Sequence, residues 1–221
     1  MGTVPRVVEL LIEVLPLALG AAVSPLVLIL QVMILGRSTT GLAPSWGFAA
    51  GAALVVAGWS AAGLLLGHVL PPRTVGPDPV AAAVHGGLAL LLLLFALRRL
   101  RRRAGRAAPA AASVGLGRAV LLGVGSMATN LTSMVLFLPA LQDLTRARPP
   151  LAVEALLVTL VAAITLLPAL APPVLVQLGG RRGRRALETL APWLAQHQVR
   201  IQAILGFGFS AYLAWRAVGE L

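Results

Sequence analysis

The chain has 221 residues, of which 58% are hydrophobic and only 11% charged, and its mean hydropathy is +0.91. Soluble domains usually carry about 25% charged residues, and a chain this short has too little interior to hide so much apolar surface from water. The 18 basic residues, all arginine, outnumber 7 acidic ones for a net charge of +11, but they sit mostly between apolar runs, so a membrane protein is expected and a nucleic-acid partner is not.

Crossing a bilayer core takes about 20 apolar residues in a helix. On that measure the expected spans are 14–36, 42–67, 79–97, 119–142, 155–178 and 200–217, with a five-span count as the alternative. The first is expected to be retained. Arg6, Glu9 and Glu13 precede it, and no small-residue cleavage site follows a short apolar core. The second carries Gly47, Gly51, Gly58 and Gly63, the first two as a GxxxG pair suited to close helix contact. The fifth contains Pro168, Pro172 and Pro173, which predict a kink or break in its second half. Residues 184–198 read as an amphipathic interfacial helix, or as a plain lead-in to the sixth span. That span is long enough only if Arg200 and Arg216 snorkel outward.

The loops set an expected orientation. The linker 101–118 and the run GGRRGRR are the most basic connections and belong on the cytoplasmic side, as does Arg37. PPRTVGPDP and DLTRARPP carry fewer arginines and some acid, and fall outside. Both termini are then extracytoplasmic, in the cytoplasmic membrane.

The linker also divides the chain into two halves of three spans, 1–100 and 119–221. Aligning Gly20 with Gly125 places Ser24 on Thr129 and Pro25 on Asn130. An odd number of spans per half requires the halves to insert in opposite senses, so the fold class expected is an all-α membrane protein of two inverted three-helix repeats. In such repeats substrates sit near the midplane where paired helices break. Pro25 has no amide hydrogen and frees the Ala21 carbonyl. In lipid that is tolerated only against protein or water. The expected substrate path is therefore Gly20, Ser24, Pro25, Gln31, Thr129, Asn130, Thr132 and Ser133, with helix–helix adhesion through the polar cluster as the equal alternative. For Gln31, packing is the stronger alternative.

Glu9, Glu13 and Glu154 are candidates for carrying a proton or meeting a cation. The competing reading is solvation at the membrane interface, and Asp143 is read the same way. His68, His85 and His197 are too scattered for a metal site, and without cysteine no disulfide, thiol couple or thiolate ligand exists. No cofactor and no metal are expected. Nor is an enzyme, because no span gathers titratable side chains. No GxxxxGK[ST] loop is present, so ATP is not the direct drive.

The segment LPLALGAAVSPLVLILQVMILGR, followed by WGFAAGAALVVAGW, resembles the peptidoglycolipid-addressing, or sulfolipid-addressing, proteins. These are six-span actinobacterial proteins placed within the LysE exporter superfamily. The likeness covers most of the chain in layout and is sharpest in its first quarter. It implies roles for Gly20, Ser24 and Pro25 in the first span and for Asn130 in the fourth. Where the family often has Asn-Pro, this chain has Asn130-Leu131, which leaves open how strong the second break is. The function implied is export or surface delivery of a lipid, glycolipid or small amphiphile, with alternating access between the halves. A non-transporting scaffold of a lipid-export complex and a small-solute or amino-acid exporter are the alternatives. The partners expected are membrane lipids, the cargo, and a second copy of the chain or other export components.

Overall fold

The computed structural model describes residues 3–37, 42–70, 72, 76–101 and 114–220. Among these the regular elements are all α-helices: α1 (Thr3–Ala22), α2 (Pro25–Arg37), α3 (Ala43–Val69), α4 (Pro79–Arg101), α5 (Leu116–Ala128), α6 (Leu131–Arg146) and α7 (Leu151–Gly219). The centre of the basic linker, residues 102–113, lies outside the described residues.

Four segments are long and apolar enough to cross a membrane: Ala43–Val69, Pro79–Arg98, Leu151–Leu190 and Pro192–Gly219. The expected first and fourth spans are each two helices meeting at a bend, and counting each bent pair as one span gives six. α1 starts at Thr3, ahead of the expected Val14, because Glu9 and Glu13 ride on the helix instead of ending it. These apolar helices make the chain a multi-pass membrane protein.

α7 corrects one expectation. Pro168, Pro172, Pro173 and Pro192 all lie within helix, and the non-helical residue is Gly180, with φ 52° and ψ −124°. That backbone conformation is open essentially only to glycine. Past it Gly183 comes against the Leu175 carbonyl, and Leu187 is buried in a small cluster with Val32 and Leu35 of α2.

Glycines set the main helix contacts. α3 runs parallel to α5 and α6 along its length. Gly47 meets Leu116, Trp59 faces Phe137 with ring centroids 6.0 Å apart, Gly63 meets Leu141 and Gly67 meets Thr145. Gly51 lies on the Val120 carbonyl and Gly123 on the Phe48 carbonyl, so close that neither could carry a β-carbon. Gly58, grouped with them by sequence, faces open space. α4 lies antiparallel to the C-terminal part of α7, with Gly206 against Ala96 and Ser210 Oγ donating to the Ala89 carbonyl at 2.8 Å.

One core joins the bundle. Leu17, Val27, Phe48, Leu92, Phe137 and Leu213, from six helices, are fully buried in it. The outward faces are just as apolar: Leu65 and Leu121 are each 70% exposed. In water each such leucine would forfeit about 2 kcal/mol of transfer free energy. Lipid removes that loss, and the outward face needs no polar residues.

Candidate functional site

The first break lies between α1 and α2. α1 ends at Ala22, Pro25 is the first residue of α2, and the two axes differ by 49°. Proline is well suited to a first helical turn, where its missing N–H is not needed, but the carbonyl four residues back loses its helical donor. That carbonyl is Ala21, and Ser133 Oγ on α6 donates to it at 2.6 Å. A hydroxyl on one half of the chain thus replaces the amide removed by a proline on the other.

The second break lies between α5 and α6. Thr129 closes α5, with Oγ1 donating to the Gly125 carbonyl at 2.7 Å. Asn130 caps α6, its Oδ1 accepting from the Ser133 amide at 3.4 Å. Leu131 in place of proline does not weaken the break. Its bend is 68°, sharper than the one at Pro25. The reason is that a capping asparagine starts a new helix by itself, because its side chain takes an amide hydrogen that the first turn would otherwise leave unbonded.

The two breaks face each other. Asn130 Nδ2 donates to Ser24 Oγ at 2.8 Å and to Ser133 Oγ at 2.7 Å. Both hydrogens of the amide are therefore used, one on each half. Ser24 is 6% exposed, Ser133 fully buried and Asn130 half-buried. Of the expected path residues, the structure gathers Ser24, Pro25, Asn130 and Ser133 here. Thr132 is buried beside them in sequence, and Thr129 is exposed.

Two other expected path residues, Gly20 and Gln31, make contacts with α7 instead. Gly20 lies against the ring of Phe209 on α7, leaving no room for a side chain. Gln31 is fully buried two turns along α2, where Nε2 donates to the Ser45 carbonyl at 3.0 Å and the Ala169 carbonyl at 2.6 Å. Ala169 is four residues before Pro173, so Gln31 supplies a donor that the proline lacks. The same device therefore occurs twice.

A second polar group was not anticipated as such. At the end of the bundle shared by the C-termini of α3, α6 and α7 and the N-terminus of α4, six charged or titratable side chains pack together. Asp78 caps α4, its Oδ1 accepting from the Ala81 amide at 3.0 Å, while Arg146 Nη2 bonds its other oxygen at 2.6 Å. Burial pushes the Asp78 carboxyl up, but the Ala81 amide and the Arg146 guanidinium outweigh it and hold the group below its ordinary 3.8. His85 is 2% exposed, with Nδ1 2.7 Å from Glu220 and Nε2 3.7 Å from Asp143. Arg216 lies 2.7 Å from Asp143 and 3.7 Å from Glu220.

This overturns the solvated reading of Asp143 and Glu154, each only 6% exposed. Glu154 lies 3.2 Å from His68 Nε2. Burial is tolerable because a partner stands beside each carboxylate. Glu9 is exposed and Glu13 is half-buried. The available signal was topology: alternating spans bring Asp78, Asp143, Glu154 and Glu220 to one end. Among the described residues no group of three or more side chains is arranged to hold a metal ion.

A family model described as "Sap, sulfolipid-1-addressing protein" matches residues 14–219, and the chain belongs to that family. No curated protein and no solved structure matches it.

Proposed function

We propose that this member of the sulfolipid-1-addressing family carries a lipid, glycolipid or comparable amphiphile from the cytoplasmic side outward, by alternating access between residues 1–100 and 119–221. The observation that carries the reading is the Asn130–Ser24 bond between two facing helix breaks. Paired broken helices at a repeat interface are where secondary transporters bind cargo. The family description, which names the addressing of sulfolipid-1, supports a lipid over a small solute.

The inverted repeat belongs to the same reading. Its support is that the first span of each half is the bent one, and that these two spans run antiparallel, α1 packing on α6 and α2 on α5. A place in the LysE exporter superfamily and extracytoplasmic termini complete it. The cargo path opens where Ser24, Asn130 and Ser133 now bond, and membrane lipids are the immediate partners. No chemical conversion of the cargo is involved.

Reconstitution tests this. Purified protein in phosphatidylcholine–phosphatidylglycerol vesicles should move a fluorescent sulfatide between leaflets, read by dithionite bleaching of the exposed label. Vesicles in which the label crosses no faster than in protein-free controls would instead favour the scaffold role.

A further inference from the structure

We propose that Arg181, Arg182, Arg184 and Arg185 form a docking surface for anionic phospholipid headgroups, in the leaflet at the end of the bundle where α3 begins. The proposal goes beyond export, and it holds equally if the chain is a scaffold.

The turn at Gly180 makes the surface. Gly183 comes against the Leu175 carbonyl, so the chain folds back at Gly180 and helix resumes at Arg181. At about 3.6 residues per turn the four arginines fall on one side of that helix, and Gly183 and Leu187 on the other. Leu187 is buried with Val32 and Leu35 of α2, while all four arginines are exposed. Arg184, at the edge of its face, donates through Nη2 to the Leu35 carbonyl at 3.4 Å. That carbonyl is in the last turn of α2, where no helical donor remains for it. One face is thus fastened to α2, and the other presents its charge outward.

Nothing within the chain accounts for that charge. Among the described residues none of the four arginines forms an ion pair, although Glu188 stands one turn along the same face. Nor do they stabilise their own helix, because cations in a first turn add to the positive end of the helix dipole. Guanidinium groups this close repel one another, and a phosphate diester that accepts from two of them relieves the repulsion.

The surroundings point to a lipid phosphate and not to a soluble anion. Leu178, just before the turn, is 84% exposed, and Trp193, beyond the arginines, is 52% exposed. Apolar surface of that kind is stable against lipid, and tryptophan settles at headgroup depth. The arginines between them lie at the level of the phosphates. Four or more basic residues on such a segment favour anionic over zwitterionic lipid.

The experiment titrates the full chain in detergent with phosphatidylglycerol or phosphatidylcholine and counts retained lipid by native mass spectrometry. The wild type should prefer phosphatidylglycerol. Combining Arg181→Gln, Arg182→Gln and Arg185→Gln leaves Arg184 on the Leu35 carbonyl. This variant should bind phosphatidylglycerol on the order of a hundredfold more weakly, about fivefold per arginine, with phosphatidylcholine unaffected. Combining Arg98→Gln, Arg118→Gln and Arg200→Gln removes three other exposed arginines for the same net charge and should keep most of the affinity. Equal losses in the two variants, or a wild type without preference, overturn the surface. An oligoglutamate peptide that binds the wild type more tightly than phosphatidylglycerol assigns it to a soluble partner and overturns the lipid reading. Photoreactive phosphatidylglycerol on the wild type needs no variant. Its label should fall mainly within residues 178–193, and label mainly elsewhere overturns the proposal.

Discussion

Ser133 donates a hydrogen bond at 2.6 Å to the Ala21 carbonyl, the group that Pro25 leaves without a helical donor. Hydroxyl and proline therefore depend on each other across the two halves. Ser133→Ala should lower stability by about 1–3 kcal/mol, the usual cost of stranding a buried acceptor. In a Pro25→Ala background Ala21 regains its amide partner, and the same substitution should cost clearly less. A double-mutant cycle of unfolding in detergent measures the difference. Equal costs in both backgrounds would mean that the bond does not carry the coupling.

Asn130→Ala removes both contacts made by Nδ2 and the cap of α6. Both Asn130→Ala and Pro25→Ala should impair export while the protein still inserts and remains monodisperse in detergent. The dithionite assay reads export, and normal movement in both variants would remove the pair from the cargo path.

The glycines of α3 and α5 divide sharply. Gly51→Ala drives a methyl group into the Val120 carbonyl, and Gly123→Ala does the same to Phe48. Overpacking of this kind costs about 1–3 kcal/mol, and backbone is less able to yield than a side-chain tip. Gly58→Ala meets nothing and should be neutral or stabilising by up to about 1 kcal/mol through helix propensity. Thermal unfolding should place Gly51→Ala and Gly123→Ala below the wild type and Gly58→Ala at or above it.

Asp78 predicts an acid limb of stability. Its folded-state value is depressed, so its contribution is fully present above the ordinary 3.8 and is lost as the pH falls through the lower folded value. Asp78→Asn keeps a capping oxygen for Ala81 but gives up the charge opposite Arg146. The variant should be less stable than wild type at neutral pH, and the gap should shrink on acidification below 3.8. Melting temperatures across a pH series decide it, a constant gap counting against the ion pair.

Much of this was legible in the residues themselves. Apolar length marks the spans because the bilayer imposes it, and Pro25 and Asn130 mark the breaks because each changes the local backbone bonding whatever surrounds it. The orphaned Ala21 carbonyl follows from proline chemistry alone. Its donor does not, since Ser133 is 112 positions away. The same limit hid the charged cluster. Asp143 looks like an interfacial acid until folding puts His85 and Arg216 beside it. The break in α7 falls at Gly180 and not at its prolines, because a proline removes one bond that a neighbour such as Gln31 can replace, whereas the backbone angles of Gly180 point the chain elsewhere.

The reciprocal seats of Gly51 and Gly123 bear on how the halves could move. Each glycine belongs to a different half, and at both points main chain touches main chain with no side chain between. Such a contact has nothing to disengage: it can roll, but parting it would open a gap along two bare backbones. If the halves rock, α3 and α5 are the axle, and the widest excursion falls on the far side of the bundle.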